Sequence, residues 1–287
     1  MAGTYVVTGS ASGMGRAIVA RLQSEGKRVI TVDLHDADVV ADLSTVQGRT
    51  EASRKVLVLS GGLLEGAVMA AGLGPRPGKE FVRLIAQVNY FGVVELLNAW
   101  HDALAAGKAK VVVIGSNSTT ATPLVPRTAV RAFLHGDART AIGAVRIFGK
   151  AAPSMIYAAS KIAVTRWVRR SATAARWVDE GIRMNVLAPG AIMTPLLEKQ
   201  LSTPEERRNI EAFPLPVRHY GTAEGIAAWV TMMLSHEADF MCGSVVFVDG
   251  GSDAYLRPDA WPKQVPGIQL LGYMRKMKAW GERGKLR

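Results

Sequence analysis

The sequence predicts an α/β fold, a doubly wound parallel sheet of about seven strands with helices on both faces, and three observations carry that prediction. Short Val/Ile/Leu runs alternate with segments whose apolar residues recur at helical spacing, as expected of strands covered on both faces. The first run ends in a glycine-rich turn that opens a helix, and the second ends in an acid. Four glycine-rich or small polar stretches, TGSASGMG, AAGLG, IGSNS and APGAIMT, each begin where an apolar run stops. In a parallel sheet such stretches share one edge, where ligands bind.

The elements follow in order. Residues 4–8 (TYVVT) form a strand, GSASGMG turns the chain, and RAIVARLQSEG makes a helix closed by a glycine. With the strand RVITVD at 28–33 this completes a βαβ unit, the start of a single Rossmann-type domain. A helix is expected around 46–58, a strand within LEGAVMAAG (64–72), and a long helical stretch over 79–106. KVVVIGS (110–116), RMNVLAPG (183–190) and SVVFVDGG (244–251) supply further strands, and the helix before residue 183 carries SMIYAASKIAV at 154–164. The domain is expected to span 1–257, with a variable region at 191–220 and an extension over 258–287.

The chain has 287 residues, 48% of them hydrophobic, enough to bury one large core. Cys242 is the single cysteine, so no internal disulfide framework is expected and packing is its expected role. The N-terminus MAGTYVVTGS lacks the basic and apolar regions of a secretion signal, and no apolar run is long enough to cross a bilayer; a soluble, cytoplasmic protein is expected. The net charge is +11, concentrated in residues 127–150, around 166–176, and in the tail at Arg275, Lys276, Lys278, Arg283, Lys285 and Arg287. No nucleic-acid motif surrounds these groups, so solvated faces and a basic tail are expected and nucleic acid is not. His35, His101, His135, His219 and His236 lie without metal-ligand spacing, so no metal is expected.

Gly9, Gly13 and Gly15 lie between the first strand and first helix, where missing side chains let backbone N–H groups approach a pyrophosphate at the positive helix end. Asp33 closes the second strand roughly 20 residues on, the place for an acid that binds ribose hydroxyls. Its charge would repel the 2′-phosphate of NADP, so NAD is the expected cofactor, although Arg16 and His35 stand nearby. Tyr157 and Lys161 are four apart, on one helical face.

The pattern Thr8-Gly9-x-x-x-Gly13-x-Gly15, taken with Tyr157-x-x-x-Lys161, resembles the short-chain dehydrogenase/reductase family over nearly the whole chain. Asp42-Leu43, AAGLG at 70–74, Asn89 in VNYFG, Ser116, NVLAPG at 185–190, Thr194 and VDGG at 248–251 extend the resemblance. Within the family, VDLHDADVVADLS, AAGLGP and VNYFG are most similar to bacterial 3α-hydroxysteroid dehydrogenase/carbonyl reductases, to which aromatic-alcohol dehydrogenases are also similar. The resemblance implies cofactor contacts at Gly9, Ser12, Gly13, Met14, Gly15 and Asp33, at Asp42 and Leu43 near adenine, and at Ala71 and Gly72. It implies further contacts at Tyr157, Lys161, Pro189, Gly190, Ile192 and Thr194. Met69 and Ala70 stand where the family usually carries two asparagines, which removes side-chain contacts but leaves the glycine backbone.

The chemistry implied is alcohol–ketone interconversion. A phenol ionises near about pH 10, so Tyr157 as acid/base needs help, and a lysine ammonium one turn away, with the positive nicotinamide, supplies it. Ser116 is expected to hold the substrate oxygen, with Ser118 as its rival, and Asn89 to anchor a water that connects Lys161 to solvent. Asn89 could instead be a helix-interior amide bonded to backbone. Met193, Leu196 and Leu197, with Pro123, Leu124 and Val125, imply a small hydrophobic secondary alcohol or ketone as substrate, with a steroid as the specific expectation. An aromatic or alicyclic alcohol is the alternative, and a non-catalytic NAD-binding scaffold or sensor is the alternative from another class. A homodimer or homotetramer is expected.

Two segments depart from the family pattern. The insertion 119–153 places Val130, Phe133 and Leu134, then Ile142, Val145 and Ile147, at spacings that suggest short helices, either lining a substrate pocket or covering a subunit surface. In the extension, Leu270, Leu271, Tyr273, Met274 and Met277 alternate with Arg275, Lys276 and Lys278, which predicts a basic amphipathic helix. It could anchor at a membrane surface, act as a lid, or pack on its own domain or a partner subunit. Pro258, Pro262 and Pro266 predict an extended path before it.

Overall fold

A computed structural model describes residues 3–260 and 264–282. Seven parallel strands are ordered β3-β2-β1-β4-β5-β6-β9. They are β1 (Thr4–Thr8), β2 (Arg28–Asp33), β3 (Val39–Val40), β4 (Gly66–Met69), β5 (Lys110–Ile114), β6 (Arg183–Pro189) and β9 (Val245–Val248). Between the last two, β7 (Ile192–Met193) and β8 (Gly221–Thr222) pair and so close off residues 191–222. The chain runs outward from β1 through β2 to β3, then crosses to β4 on the other side, which puts the topological switch between β1 and β4.

Alternate residues along each strand feed two cores, as the period of two requires. Val6 of β1 and Val111 and Val113 of β5 join the core with Ile156, Ala163 and Val164 of the helix Ala152–Ser171. Tyr5, Val7, Val112 and Ile114 face the opposite core with Ile18 and Leu22 of the helix Gly13–Ser24 and Val230 of the helix Ala223–Leu234. The helix Val46–Ser60 is capped by Thr45, whose hydroxyl accepts from the Gly48 N–H at 2.9 Å, and it ends at Gly61 in the left-handed conformation.

One sequence expectation narrows and another changes. The strand expected within 64–72 is confined to Gly66–Met69, because the Ala71 N–H leaves the sheet to bond the Thr8 hydroxyl at 3.1 Å. The long helix expected over 79–106 is divided into Lys79–Ala86, a π-helical turn Gln87–Phe91, Gly92–Ala99 and His101–Ala106. In the wide turn the Gly92 N–H bonds the Gln87 carbonyl five residues back, and Asn89, Tyr90 and Phe91 are buried.

The insertion forms the helices Arg127–Leu134 and Ala138–Val145, and a 3₁₀ segment Arg146–Ala151 that leads into the helix Ala152–Ser171. It is part of the core. Val130, Phe133 and Val145 are buried, and the Phe133 ring lies 5.0 Å from Tyr90 and 6.1 Å from Phe91. Ile147 is exposed on the 3₁₀ segment, unlike the residues its spacing groups it with. Cys242 packs against the first core, and its thiol donates to the Ala172 carbonyl at 3.0 Å.

In the extension, Pro258–Ala260 is a 3₁₀ turn, so the path there is not extended, and Pro262 lies outside the described residues. The amphipathic helix forms as Leu270–Glu282. The Leu196 side chain, Arg283, Lys285 and Arg287 also lie outside what is described.

Candidate active site

The glycine turn sits where β1, β4 and the helix Gly13–Ser24 meet. Gly9 has φ +70°, and a methyl group on it would lie 2.6 Å from the Ala71 nitrogen, so both backbone and space require glycine. A methyl group on Gly15 would lie 1.9 Å from the Gly9 carbonyl oxygen; its absence lets the first helical turn rest on the glycine turn itself. Ser12 occupies the N-cap without a side-chain hydrogen bond, and the first helical turn carries no acid, so the positive helix end remains open to an anion. The Ser10 hydroxyl in the same turn is buried without a partner. Sequence reasoning passed over Ser10, since a serine inside a glycine turn carries no signal of its own.

Asp33 is held from two sides. Its Oδ2 accepts from the Ala11 N–H at 2.8 Å and its Oδ1 from the Leu34 N–H at 2.7 Å, which ties the end of β2 to the glycine turn. Met14 is partly buried behind this turn. Asp42 is exposed, and its Oδ1 accepts from the Ser44 N–H at 2.8 Å, while the Leu43 side chain is packed in the core. Any contribution of Leu43 to a ligand is therefore made by its backbone.

Beyond β4 the chain passes Ala71 and Gly72. A methyl group on Gly72 would lie 3.5 Å from Asn89 Oδ1 and 3.6 Å from Lys161 Nζ, so three sequence-predicted residues converge there. Asn89 uses both amide atoms on one backbone unit: its Oδ1 accepts from the Leu73 N–H at 2.8 Å and its Nδ2 donates to the Leu73 carbonyl at 3.0 Å. The π turn carries Asn89 to this position.

Lys161 is buried, and its ammonium donates to the Ile114 carbonyl at the end of β5 at 2.8 Å. Burial pushes it down to about 8. The same Nζ lies 5.9 Å from the centre of the Tyr157 ring. Burial pushes the Tyr157 phenol above its ordinary value, and a hydrogen bond with Ser116 draws it part of the way back. The structure thus brings Ser116, rather than Ser118, to the tyrosine. Ser118 donates its backbone N–H to Ser116 Oγ at 3.1 Å, and its own buried hydroxyl has no partner.

The loop after β6 closes the cleft. A methyl group on Gly190 would lie 2.7 Å from the Asp249 Cα, so only glycine lets the Pro189–Gly190 turn pass the end of β9. Ile192 is buried in the second core, and Thr194 stands over the glycine turn, its Cγ2 3.4 Å from where a methyl group on Gly13 would be.

These features form one cleft along the carboxyl ends of β1, β4, β5 and β6, with an anion-ready turn at one end and a serine, tyrosine, lysine and asparagine at the other. Residues 9–253 match the family model described as enoyl-(acyl carrier protein) reductase. The chain is 34% identical over 254 residues to the 3-alpha-hydroxysteroid dehydrogenase/carbonyl reductase of Comamonas testosteroni, covering 88% of this chain and 97% of that one. The chain belongs to the short-chain dehydrogenase/reductase family. A further relative is the coniferyl-alcohol dehydrogenase of Pseudomonas sp. strain HR199, 30% identical over 261 residues, with 86% of this chain and 94% of that one covered. Among solved structures, the 3-alpha-hydroxysteroid dehydrogenase from Pseudomonas sp. B-0831, complexed with NADH, superposes with a TM-score of 0.82 at 38% identity, over 89% of this chain and 99% of that one. This dehydrogenase/reductase is accordingly an oxidoreductase acting on CH–OH groups.

One unpredicted residue supports the cleft from below. Arg49 is 3% exposed and bidentate to Glu95, with Nε–Oε2 2.6 Å and Nη2–Oε1 3.2 Å. Its Nη1 also donates to the Leu43 carbonyl at 3.0 Å and to Gln87 Oε1 at 3.2 Å. It therefore joins the Asp42–Leu43 turn to the first residue of the π turn that carries Asn89. An arginine on a helix reads as a surface residue, so nothing in the sequence marked it.

Proposed function

We propose that the protein interconverts a hydrophobic secondary alcohol, of the hydroxysteroid class, and its ketone with NAD(H). The observation that carries the reading is the buried Lys161 ammonium, fastened to the Ile114 carbonyl two residues before Ser116 and 5.9 Å from the centre of the Tyr157 ring. The glycine turn fits a dinucleotide: the helix that follows it starts with no side-chain cap and no acid in its first turn, and the buried Ser10 hydroxyl lacks an acceptor. Gly9, Ser12, Gly13, Met14 and Gly15 hold the pyrophosphate, and Asp33 accepts from the adenosine ribose and repels a 2′-phosphate. Asp42 and the Leu43 backbone meet the adenine, Ala71 and Gly72 lie along the cofactor, and Pro189, Gly190, Ile192 and Thr194 hold its nicotinamide end. NAD, when bound, supplies the hydride acceptor in one direction and the donor in the other.

The chain's own residues handle the proton. Tyr157 takes it from the alcohol or gives it to the ketone, Ser116 holds the substrate oxygen, and the positive Lys161 favours the phenolate. Asn89 holds the Leu73 turn beside Lys161, and a water bound at that turn would connect the ammonium to solvent. Met193, Leu197 and Val125 supply apolar surface for the substrate. The catalytic domain is 1–257, a cytoplasmic location is proposed, and an unpaired edge at β9 with exposed Trp229, Met232 and Phe240 supports a homodimer or homotetramer.

The test follows NADH absorbance with NAD or NADP against hydroxysteroids, aromatic alcohols and alicyclic alcohols. Turnover is expected with NAD and a hydroxysteroid and lost in Tyr157→Phe, which retains NADH binding. Turnover of aromatic alcohols alone moves the substrate class, and NADH binding without turnover of any alcohol leaves a scaffold or sensor.

A further inference from the structure

We propose that the C-terminal helix docks the protein on an anionic lipid surface, its apolar stripe in the interface and its lysines at the headgroups. Leu270, Tyr273, Met274, Met277 and Trp280 fall at i, i+3, i+4, i+7 and i+10 of the helix Leu270–Glu282 and form one continuous stripe. Leu271 widens the stripe at its start. Lys276 borders it on one side and Lys278 on the other, and Arg275 occupies the opposite face, the distribution that lets long basic side chains reach outward from an immersed helix.

The stripe is open to solvent. Met274 is 58% exposed, Met277 61% and Trp280 61%, well above the level of a helix laid on its own domain. Ile268, just before the helix, is 95% exposed. Trp280 and Tyr273 are the amphipathic aromatics that settle at the boundary between headgroups and acyl chains.

Charge selects the occupant. Residues 270–287 carry six basic residues and one acid within a chain of net charge +11. A second copy would bring the same positive field to the same face, whereas an anionic bilayer complements it and rewards the apolar stripe as well. No helix among the described residues is long and apolar enough to cross a membrane, so the contact is interfacial. The proposal is independent of the enzyme's substrate.

The full chain is sedimented with vesicles of phosphatidylcholine, alone or with about 30% phosphatidylglycerol, where each basic residue near the surface strengthens binding roughly fivefold. Binding to the anionic vesicles is expected to exceed binding to neutral ones by at least about tenfold and to fall as salt is raised. Lys276→Glu with Lys278→Glu should weaken it by roughly twentyfold or more. Met274→Glu with Met277→Glu should abolish it, and both pairs should leave the melting temperature of the domain unchanged. Equal binding to both vesicles, or none to either, overturns the proposal. So does Met274→Glu with Met277→Glu lowering the sedimentation mass while vesicle binding persists, which assigns the stripe to a second copy.

Discussion

Lys161 donates to the Ile114 carbonyl at 2.8 Å, and so the ammonium that faces Tyr157 is fastened to the end of β5 and not to the tyrosine. Ser116 follows Ile114 by two residues, so one strand end positions both the lysine and the serine that lowers the phenol's pKa. The helix supplies the spacing of Tyr157 and Lys161, and the sheet supplies the direction.

Lys161 gives stability a defined pH dependence. Its pKa falls from an ordinary 10.5 to about 8 in the folded protein, so between these values the unfolded chain binds more protons than the folded one. Stability from this group therefore rises with pH across that window, and below about 8 the folded protein bears the full cost of a buried ammonium. In Lys161→Met that slope disappears: the variant's melting temperature, relative to the parent's, is highest near neutral pH and declines towards pH 10. Thermal melts in a pH series measure it, and a constant difference would show that the lysine does not titrate there.

The pH profile of catalysis depends on Tyr157, whose phenol is raised by burial and lowered by Ser116. Alcohol oxidation needs the phenolate, so its rate climbs with pH until Tyr157 is ionised. Ser116→Ala removes the lowering contact, moves that limb to higher pH and costs about 10²-fold in kcat at neutral pH. A profile that keeps its position in the variant would separate Ser116 from the proton transfer.

Asp33 sets the choice between the two nicotinamide dinucleotides. Asp33→Ser removes the negative charge and the carboxylate tie to the Ala11 N–H. We expect kcat/KM to fall with NAD and to rise with NADP, shifting the ratio by about two orders of magnitude, or roughly 3 kcal/mol. Kinetics with both cofactors measure it; an unchanged ratio would place the discrimination elsewhere.

Two glycines should respond in opposite ways to alanine. Gly15→Ala drives a methyl group to 1.9 Å from the Gly9 carbonyl oxygen, and the resulting displacement should cost about 2–3 kcal/mol and NADH affinity together. Gly143, in the helix Ala138–Val145, has open space where the methyl group would go, so Gly143→Ala should stabilise by about 0.5–1 kcal/mol through helix propensity. Denaturant titrations compare the two.

Arg49→Ala leaves the Leu43 carbonyl and Gln87 without their donor, and strands Glu95, which is partly solvated. A loss of about 2–3 kcal/mol is expected. Because Gln87 opens the π turn, kcat should fall more than KM rises, and Arg49→Lys, which keeps the charge but not the fork, should recover only part of either. Full activity in Arg49→Ala would confine Arg49 to stability.

By itself the sequence determined what local pattern can encode. The periodicity of Val/Ile/Leu runs gave the parallel sheet, the spacing of Gly9, Gly13, Gly15 and Asp33 gave the nucleotide turn, and the interval of four gave the Tyr157–Lys161 pair. Helices and turns are written by residues near one another in the chain, so these could be read directly. Only the tertiary structure decided that the helix over 79–106 opens into a π turn at Asn89, since that depends on Leu73, Phe133 and Arg49 from distant segments. It also decided that the insertion belongs to the core, and that the stripe of the C-terminal helix lies open. Burial of a charged or amphipathic residue depends on what folds over it, and Arg49 and Met277 carry no local mark that distinguishes the inside from the outside.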